Sequence, residues 1–449
     1  MAVRIAAVAL WFAVWQLASM LVGQALILPG PADVAASLAG LVSSGAFWAK
    51  VGFSALRILG GMLAAYALAI ALAAMSRASG AVRAIVRVPL AVIKSTPVVC
   101  VVVLLLIWLG SANVSVAAVF LMALPAVYFP VLEGLDRTAG GLDEVFSLHG
   151  VWGVARALGC AWPRVLPFVV AASETVVGMS WKAGVAAELI GVPAGSIGER
   201  IYQAKLLLET PDLFAWTIAV IALASVCERV FLRLVRASGN VAVRVAAIVR
   251  LHPAGARGER PRGAWRLRGV MLAHGVSNPI DACVPDGGRL CVMAPSGSGK
   301  TTLLRTLVGL EQPVSGSFEG PESLSIELQD ARLVEGASAL CNVALTAGEG
   351  LGVDELRELL ERLVPGIDVD AAVSELSGGQ RRRVELARAL VAPGDSVLLD
   401  EPFAGLDDAA RDLACAVIAD ELRGRSLIVA THDAVCASRL EADTLVLAD

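Results

Sequence analysis

The stretch Arg289-Leu290-Cys291-Val292-Met293-Ala294-Pro295-Ser296-Gly297-Ser298-Gly299-Lys300-Thr301-Thr302 decides how the C-terminal half is read. An apolar run of strand character enters a glycine-rich turn, and the turn enters a helical stretch. In that context backbone N–H groups can close on a phosphate. The glycines let successive N–H groups turn inward, Lys300 supplies a compact positive charge, and Thr301 supplies a hydroxyl for Mg²⁺. Only five of the 37 Lys and Arg residues are lysine, and an arginine fork would not fit the same cradle. Ala294 stands where the usual pattern begins with glycine, which is expected to cost something if that position needs a positive φ. Taken alone, the stretch also fits a glycine-rich turn with no ligand.

Its surroundings narrow the choice. The apolar run Ser396-Val397-Leu398-Leu399 ends in Asp400-Glu401, where a buried strand can deliver one carboxylate to a metal ion and the next to an attacking water. Asp400 is expected to hold the metal shell and Glu401 to act as general base. Between these elements lies Leu376-Ser377-Gly378-Gly379-Gln380, followed by Arg381-Arg382-Arg383 and a helical pattern to about Leu390. A glycine-rich helix start is a second anion site. From about residue 264 short β-rich runs alternate with helical stretches such as 354–363, an α/β alternation.

These motifs, in this order, resemble the ATP-binding subunit of an ABC transporter. The resemblance implies that Gln329, in Leu328-Gln329-Asp330-Ala331-Arg332, is the Q-loop glutamine, catalytic and in reach of the metal. It implies that Asp407, in Ala404-Gly405-Leu406-Asp407, belongs to the D-loop, and that His432, in Thr431-His432-Asp433, is the catalytic switch histidine. ATP would be enclosed between Ser296, Gly297, Ser298, Gly299, Lys300, Thr301 and Thr302 of one copy and Ser377, Gly378, Gly379 and Gln380 of another. Mg²⁺ would sit at Thr301, Gln329 and Asp400. His274 takes the place of the aromatic ring that stacks on adenine in many of these proteins. The interval from Lys300 to Gln329 is short for the family and little chain follows His432, so a trimmed core sheet is expected.

The N-terminal half has another character. Hydrophobic residues make up 57% of the chain and charged residues 17%, with a mean hydropathy of +0.71, which excludes a disordered or collagen-like protein and places much of the chain in lipid. Residues 1–240 hold 16 Lys and Arg against 11 Asp and Glu, whereas 269–449 hold 14 against 29, so the two halves face different surroundings. Residues 241–268 carry seven Arg and one Glu, the composition of a solvated tether or of a segment drawn to an anionic membrane surface. A bilayer span takes about 20 residues, and apolar runs of that kind lie near 5–28, 52–75, 95–109, 114–132, 165–190 and 213–235. The third and fourth are divided only by Gly110-Ser111-Ala112-Asn113. Arg77, Arg83, Arg87 and Lys94, and then Arg137, Arg156 and Arg164, mark two cytoplasmic loops by the positive-inside bias. Both termini are then inside. The eight cysteines contain no Cys-x-x-Cys pair, which suits a reduced cytoplasmic domain and no structural metal.

Glu144-Val145-Phe146-Ser147-Leu148-His149-Gly150, with Cys160-Ala161-Trp162-Pro163 after it, resembles the cytoplasmic EAA loop of bacterial ABC importer permeases. Glu144, Gly150 and Pro163 match, and Val145 and Phe146 replace its alanines; a plain amphipathic loop helix is the alternative. Ser180-Trp181-Lys182-Ala183-Gly184-Val185-Ala186-Ala187-Glu188-Leu189-Ile190 resembles permeases of nitrate, sulfonate and taurine importers. The expected fold is an α-helical polytopic membrane domain of about six transmembrane helices, the ABC importer permease fold, followed by an α/β P-loop NTPase domain, the ABC ATPase. The expected boundaries are 1–240 for the permease with a coupling helix near 141–160, 241–264 for the basic linker and 265–449 for the ATPase. Glu174, Lys182 and Glu188 in the fifth span are candidates for the solute route. A structural ion pair is equally open for Lys182, and snorkelling to the interface for Glu188.

The resemblance implies ATP-driven import of a small, anionic solute across a bacterial inner membrane, with the ATPase domain cytoplasmic. Expected partners are a second copy of the chain, an extracytoplasmic solute-binding protein, membrane lipid and the small-molecule solute, and no nucleic acid. Export of a lipid or peptide, or a membrane-tethered regulatory ATPase that carries no solute, are the alternatives.

Overall fold

The structure, a computed structural model, describes residues 2–137, 142–251, 263–275, 278–295, 297–329, 333–348 and 350–447. It divides into two compact units, residues 1–138 with 165–236, and residues 139–164 with 237–449. The helices run α1 (Ala2–Val22), α2 (Pro31–Val42), α3 (Gly45–Ala78), α4 (Gly80–Ser95), α5 (Val98–Arg137), α6 (Leu142–Leu148), α7 (Gly153–Arg156), α8 (Trp162–Gly191), α9 (Ile197–Leu206) and α10 (Thr210–Arg250).

Among the described residues, four helical stretches are long and apolar enough to cross a membrane: Ile5–Val22, Gly45–Ala78, Val98–Arg137 and Gly153–Gly191. The apolar runs 95–109 and 114–132 fall largely within the two limbs of α5, which bends at Gly110 (φ 71°, ψ 172°). Glycine takes that φ without a Cβ clash, so the chain turns there without a loop. The run 213–235 lies inside α10, so the six apolar runs occupy five helices.

Lipid gives helices no hydrophobic gain on association, and close packing depends on small residues. A Cβ at Gly61 would lie 2.5 Å from the Val116 carbonyl oxygen, and one at Gly184 would lie 2.5 Å from Ile58 Cγ1. Buried hydroxyls pair with one another, Tyr66 with Ser173 (2.7 Å) and Tyr128 with Ser76 (2.9 Å). Glu188 is fully buried and accepts from the Ser54 hydroxyl at 2.7 Å and the Gly198 N–H at 3.3 Å. It therefore pins α3 to the start of α9. Its burial corrects the reading of Glu188 as a group that snorkels to the interface; both donors reach one oxygen, Oε2.

In the second unit the order continues β1 (Trp265–Met271), β2 (Ile280–Val284), β3 (Arg289–Met293), α11 (Lys300–Leu307), β4 (Ser315–Glu319), β5 (Leu324–Glu327), α12 (Ala339–Ala344), α13 (Val353–Leu363), α14 (Gly378–Val391), β6 (Ser396–Asp400), α15 (Asp408–Glu421), β7 (Ser426–Thr431), α16 (Ala434–Arg439) and β8 (Asp443–Val446). Five strands form a sheet in the order β5-β6-β7-β3-β8, and β2-β1-β4 form a separate antiparallel sheet. Every residue of β6 and β7 is buried, as a parallel sheet covered on both faces requires. Met293 pairs with Thr431 and Asp400 with Ala430, so the C-terminal ends of β3, β7 and β6 lie side by side. Ligands of open α/β sheets gather at such an edge.

Residues 241–250, expected to begin the linker, continue α10 instead. Val243, Ala246 and Ala247 lie three and four residues apart and are buried in the second unit's core, which holds the helix together until Arg250. Residues 252–262 of the expected linker lie outside the described residues, as does residue 141 at the start of the expected coupling helix.

The segment 142–164 packs within the second unit. Val145 and Phe146, where the EAA pattern has alanine, are both 1% exposed, and Phe146 shares a core with Ala246, Val334 and Leu345. Their bulk is core material. Glu144 reaches Arg305 of α11 at 3.5 Å. His149 Nε2 accepts the N–H of Ile326 at 3.3 Å and faces the Ser325 hydroxyl at 3.4 Å, so the ring covers the outer edge of β5, an edge strand with donors to satisfy. Burial, and then the charge of Arg388, holds the His149 pKa down to about 3, so Nε2 stays free to accept. Because this lies below the ordinary 6.5, the contribution is complete above pH 6.5 and is lost as pH falls toward 3, by at most about 1.4 kcal/mol per pH unit. Thermal unfolding of the wild type should therefore shift downward between pH 7 and pH 5, and the shift should shrink in His149→Gln. Equal shifts in the two proteins would remove His149 as the cause.

Candidate nucleotide-binding and catalytic site

The turn after β3 is shaped by two glycines in left-handed conformations, Gly297 (φ 86°) and Gly299 (φ 94°). A Cβ at Gly299 would also meet the His274 carbonyl oxygen at 2.8 Å, so glycine is required twice over. Ala294 does not take a positive φ, and the strain foreseen for it does not arise. A cavity of about 230 Å³ opens over this loop, lined by His274, Gly297, Gly299, Lys300, Thr301, Thr302, Gln329 and Glu401 among others. Eight of the residues singled out in the sequence thus converge on one space. Ser298 stands beside it with its hydroxyl bonded to the Pro295 carbonyl at 2.6 Å, and Ser296 lies outside the described residues.

Lys300 is 7% exposed. Its ammonium donates to the carbonyls of Ala294 (2.5 Å) and Pro295 (3.2 Å) and lies 3.2 Å from Glu401 Oε1. The other carboxylate oxygen of Glu401 is 3.0 Å from Nδ1 of His432. Glu401 therefore bridges the loop lysine and the histidine beyond β7. It does so from a left-handed backbone (φ 50°), which costs a side-chain-bearing residue roughly 1–2 kcal/mol, with its N–H bonded to the Ala430 carbonyl at 2.8 Å.

Asp400 ends β6 and is fully buried. Burial pushes its carboxyl pKa up, and the neighbouring Thr301 hydroxyl offsets part of that. Neither carboxylate oxygen has a full hydrogen-bond partner. A buried carboxyl with spare lone pairs beside a hydroxyl and near Gln329 has the donor chemistry a hard divalent cation takes.

The signature residues stand apart from this cavity. Ser377 caps α14, accepting from the Gln380 N–H at 3.3 Å while the Gln380 side chain accepts the Ser377 N–H at 2.9 Å. Gly378 and Gly379 form the first turn of α14, and Asp407 caps α15 through the Ala410 N–H at 2.8 Å. Two residues passed over in the sequence sit behind the site: Glu327 at the end of β5, 1% exposed, and Arg382 in α14, 8% exposed. The signal available was a lone carboxylate inside the apolar run Ser325-Ile326-Glu327-Leu328, next to Gln329.

Residues 277–404 match the family described as ABC transporter, and residues 59–238 match the family described as binding-protein-dependent transport system inner membrane component. The aliphatic sulfonates import ATP-binding protein SsuB 3 of Nocardia farcinica is 37% identical over 193 residues, covering 42% of this chain and 76% of that one. SsuB 2 of Frankia alni is 36% identical, covering 42% of this chain and 78% of that one. SsuB 1 of Paracoccus denitrificans is 36% identical, covering 41% and 80%. The parallel sheet with its phosphate loop, and the apolar helices before it, are thus accounted for together: the chain belongs to the ABC transporter family, and couples ATP hydrolysis in its C-terminal domain to transport through a permease domain in the same polypeptide.

Proposed function

We propose that the chain is half of an importer for a small sulfonate-like anion in a bacterial inner membrane, with its ATPase domain on the cytoplasmic side. Two copies would act together, fed by a separate extracytoplasmic solute-binding protein. The observation that carries this reading is the constellation Lys300, Glu401 and His432 in a chain whose permease part matches a binding-protein-dependent component. The sulfonate class rests on the relatives, whose names record aliphatic sulfonate import.

In this reading Lys300 and the N–H groups of the loop hold the terminal phosphates, and His274 flanks the adenine. Thr301, Gln329 and Asp400 would hold Mg²⁺, which when bound offsets phosphate charge. Phosphate oxygens are stronger partners for Lys300 than two carbonyls, so its transfer to them frees Glu401 Oε1 to face water. The water oxygen attacks the γ-phosphorus, the bond to the β–γ bridging oxygen breaks, and Glu401 takes the proton while His432 keeps the carboxylate aimed. Gly378 and Gly379 at the start of α14, with Ser377, Gln380 and Asp407, would close on the partner copy's nucleotide.

For the solute we assign the cavity of about 920 Å³ between α8 and α10, which holds Glu174, Lys182 and Glu228. Arg236 lies 3.5 Å from Glu174. Ionisable groups at such depth are costly against lipid and belong on a wet path. In proteoliposomes, an aliphatic sulfonate with its binding protein should raise ATP hydrolysis severalfold and accumulate inside when ATP is on the ATPase side. Stimulation by lipid or peptide without a binding protein would favour export. Hydrolysis indifferent to every solute would favour the regulatory ATPase.

A further inference from the structure

Arg382 does not line the cavity over the phosphate loop, yet it touches the backbone of Gln329, Asp400 and Glu401. Its side chain is 9% exposed and leaves α14 one turn after the Ser377 cap. One arm of the guanidinium donates to the carbonyls of Leu328 and Gln329, both at 3.1 Å. The other donates to the carbonyl of Glu401 at 2.9 Å and to that of Asp400. Nε lies 3.1 Å from Glu327 Oε1, and Glu385 Oε2 lies 3.4 Å from Nη1. One planar fork thus joins the signature helix, the end of β5 and the end of β6.

We propose that Arg382 is a positioning residue for hydrolysis: it fixes the peptides of Gln329 and Glu401 against α14, with Glu327 anchoring the guanidinium. The inference rests on the reading of Glu401 as base. Glu401 has an unfavourable φ of 50°, and a strained peptide persists only where its surroundings hold it. Its N–H is held by the Ala430 carbonyl, and its carbonyl accepts from the Ala404 N–H at 3.1 Å and from Arg382 at 2.9 Å; Arg382 is the one of these three that ties the peptide to α14. A lysine is a single point charge and cannot span the same carbonyls as a fork of five donors. Glu327 and Glu385 have the complementary task, since a guanidinium this deeply buried needs acidic groups against it and these two lie within 3.4 Å.

A structural role and a positioning role differ in one measurable way. Removing both members of a buried ion pair is often neutral for stability, whereas removing one leaves an unpaired charge. The double variant Glu327→Met, Arg382→Met leaves Glu385 without one partner and the carbonyls without their ties, so it should unfold below the wild type but by less than Arg382→Met alone. Its kcat should be at least about tenfold lower with the KM for ATP within about threefold, the signature of a lost alignment and not of lost binding. Arg382→Lys keeps the charge beside Glu327 and should lose at least about fivefold in kcat at similar KM. Full-length protein in nanodiscs serves for all variants, with Glu401→Gln measured alongside.

Wild-type turnover in the double variant, or in a folded Arg382→Lys if the double variant does not fold, overturns the proposal. So does a fall in kcat matched by an equal loss of ATP affinity. Near-normal hydrolysis by Glu401→Gln would instead reject the reading of the base on which the inference rests, so the two failures are told apart.

Discussion

Glu401→Gln should lower ATP turnover by about a thousandfold, within the range assigned to a positioned general base, while nucleotide affinity stays within about threefold of the wild type. The amide has the same shape and can still meet His432, now 3.0 Å from the carboxylate. What it loses is the capacity to take a proton. Lys300 keeps its loop partners Ala294 and Pro295, and Asp400 is untouched, so the phosphate cradle survives. Lys300→Ala should behave in the opposite way and weaken nucleotide binding itself. Turnover and equilibrium binding of a fluorescent nucleotide, measured on the same preparations, separate the two effects. Hydrolysis by Glu401→Gln near the wild-type rate would move the base to another group.

A second large effect is expected from mixed assemblies. In the proposed two-fold pair, each ATP lies between the phosphate loop of one copy and the signature residues of the other. Within one chain these parts are separate: Lys300 lines the cavity with Glu401, whereas Ser377 caps α14 and is not among that cavity's lining residues. A Lys300→Ala chain and a Ser377→Arg chain should each be inactive as homodimers. Paired together, they place both lesions in one composite site and none in the other. Purified mixed dimers should then recover up to half of wild-type hydrolysis if the sites fire independently, and little if they are strictly coupled. Trapping one nucleotide per mixed dimer distinguishes a coupled pair from one that never forms. An active monomer would reject the composite site.

The candidate nucleotide site was legible in the amino-acid order because each of its parts is local. Gly297 and Gly299 turn the loop by their own backbone freedom, Lys300 and Thr301 follow on the same helix, and the apolar run 396–399 must deliver Asp400 and Glu401 at its end. The membrane character of the N-terminal half was equally legible, since hydropathy sums over neighbours. Other features depended on residues far apart in the chain. Whether residues 241–250 are tether or helix was decided by the packing around them; Val243 and Ala246 find a core with Phe146. Glu188 could be read as an interface residue until its burial against Ser54 and Gly198 was seen. His149 and Arg382 could not be weighed at all from their own neighbours, because a buried polar group is explained only by its partners, and theirs are Ile326 and the carbonyls of Gln329 and Glu401. Sequence determined which groups are candidates for the chemistry; only the tertiary structure decided which groups hold them in place, because satisfying buried hydrogen bonds and charges is a condition on space and not on sequence distance.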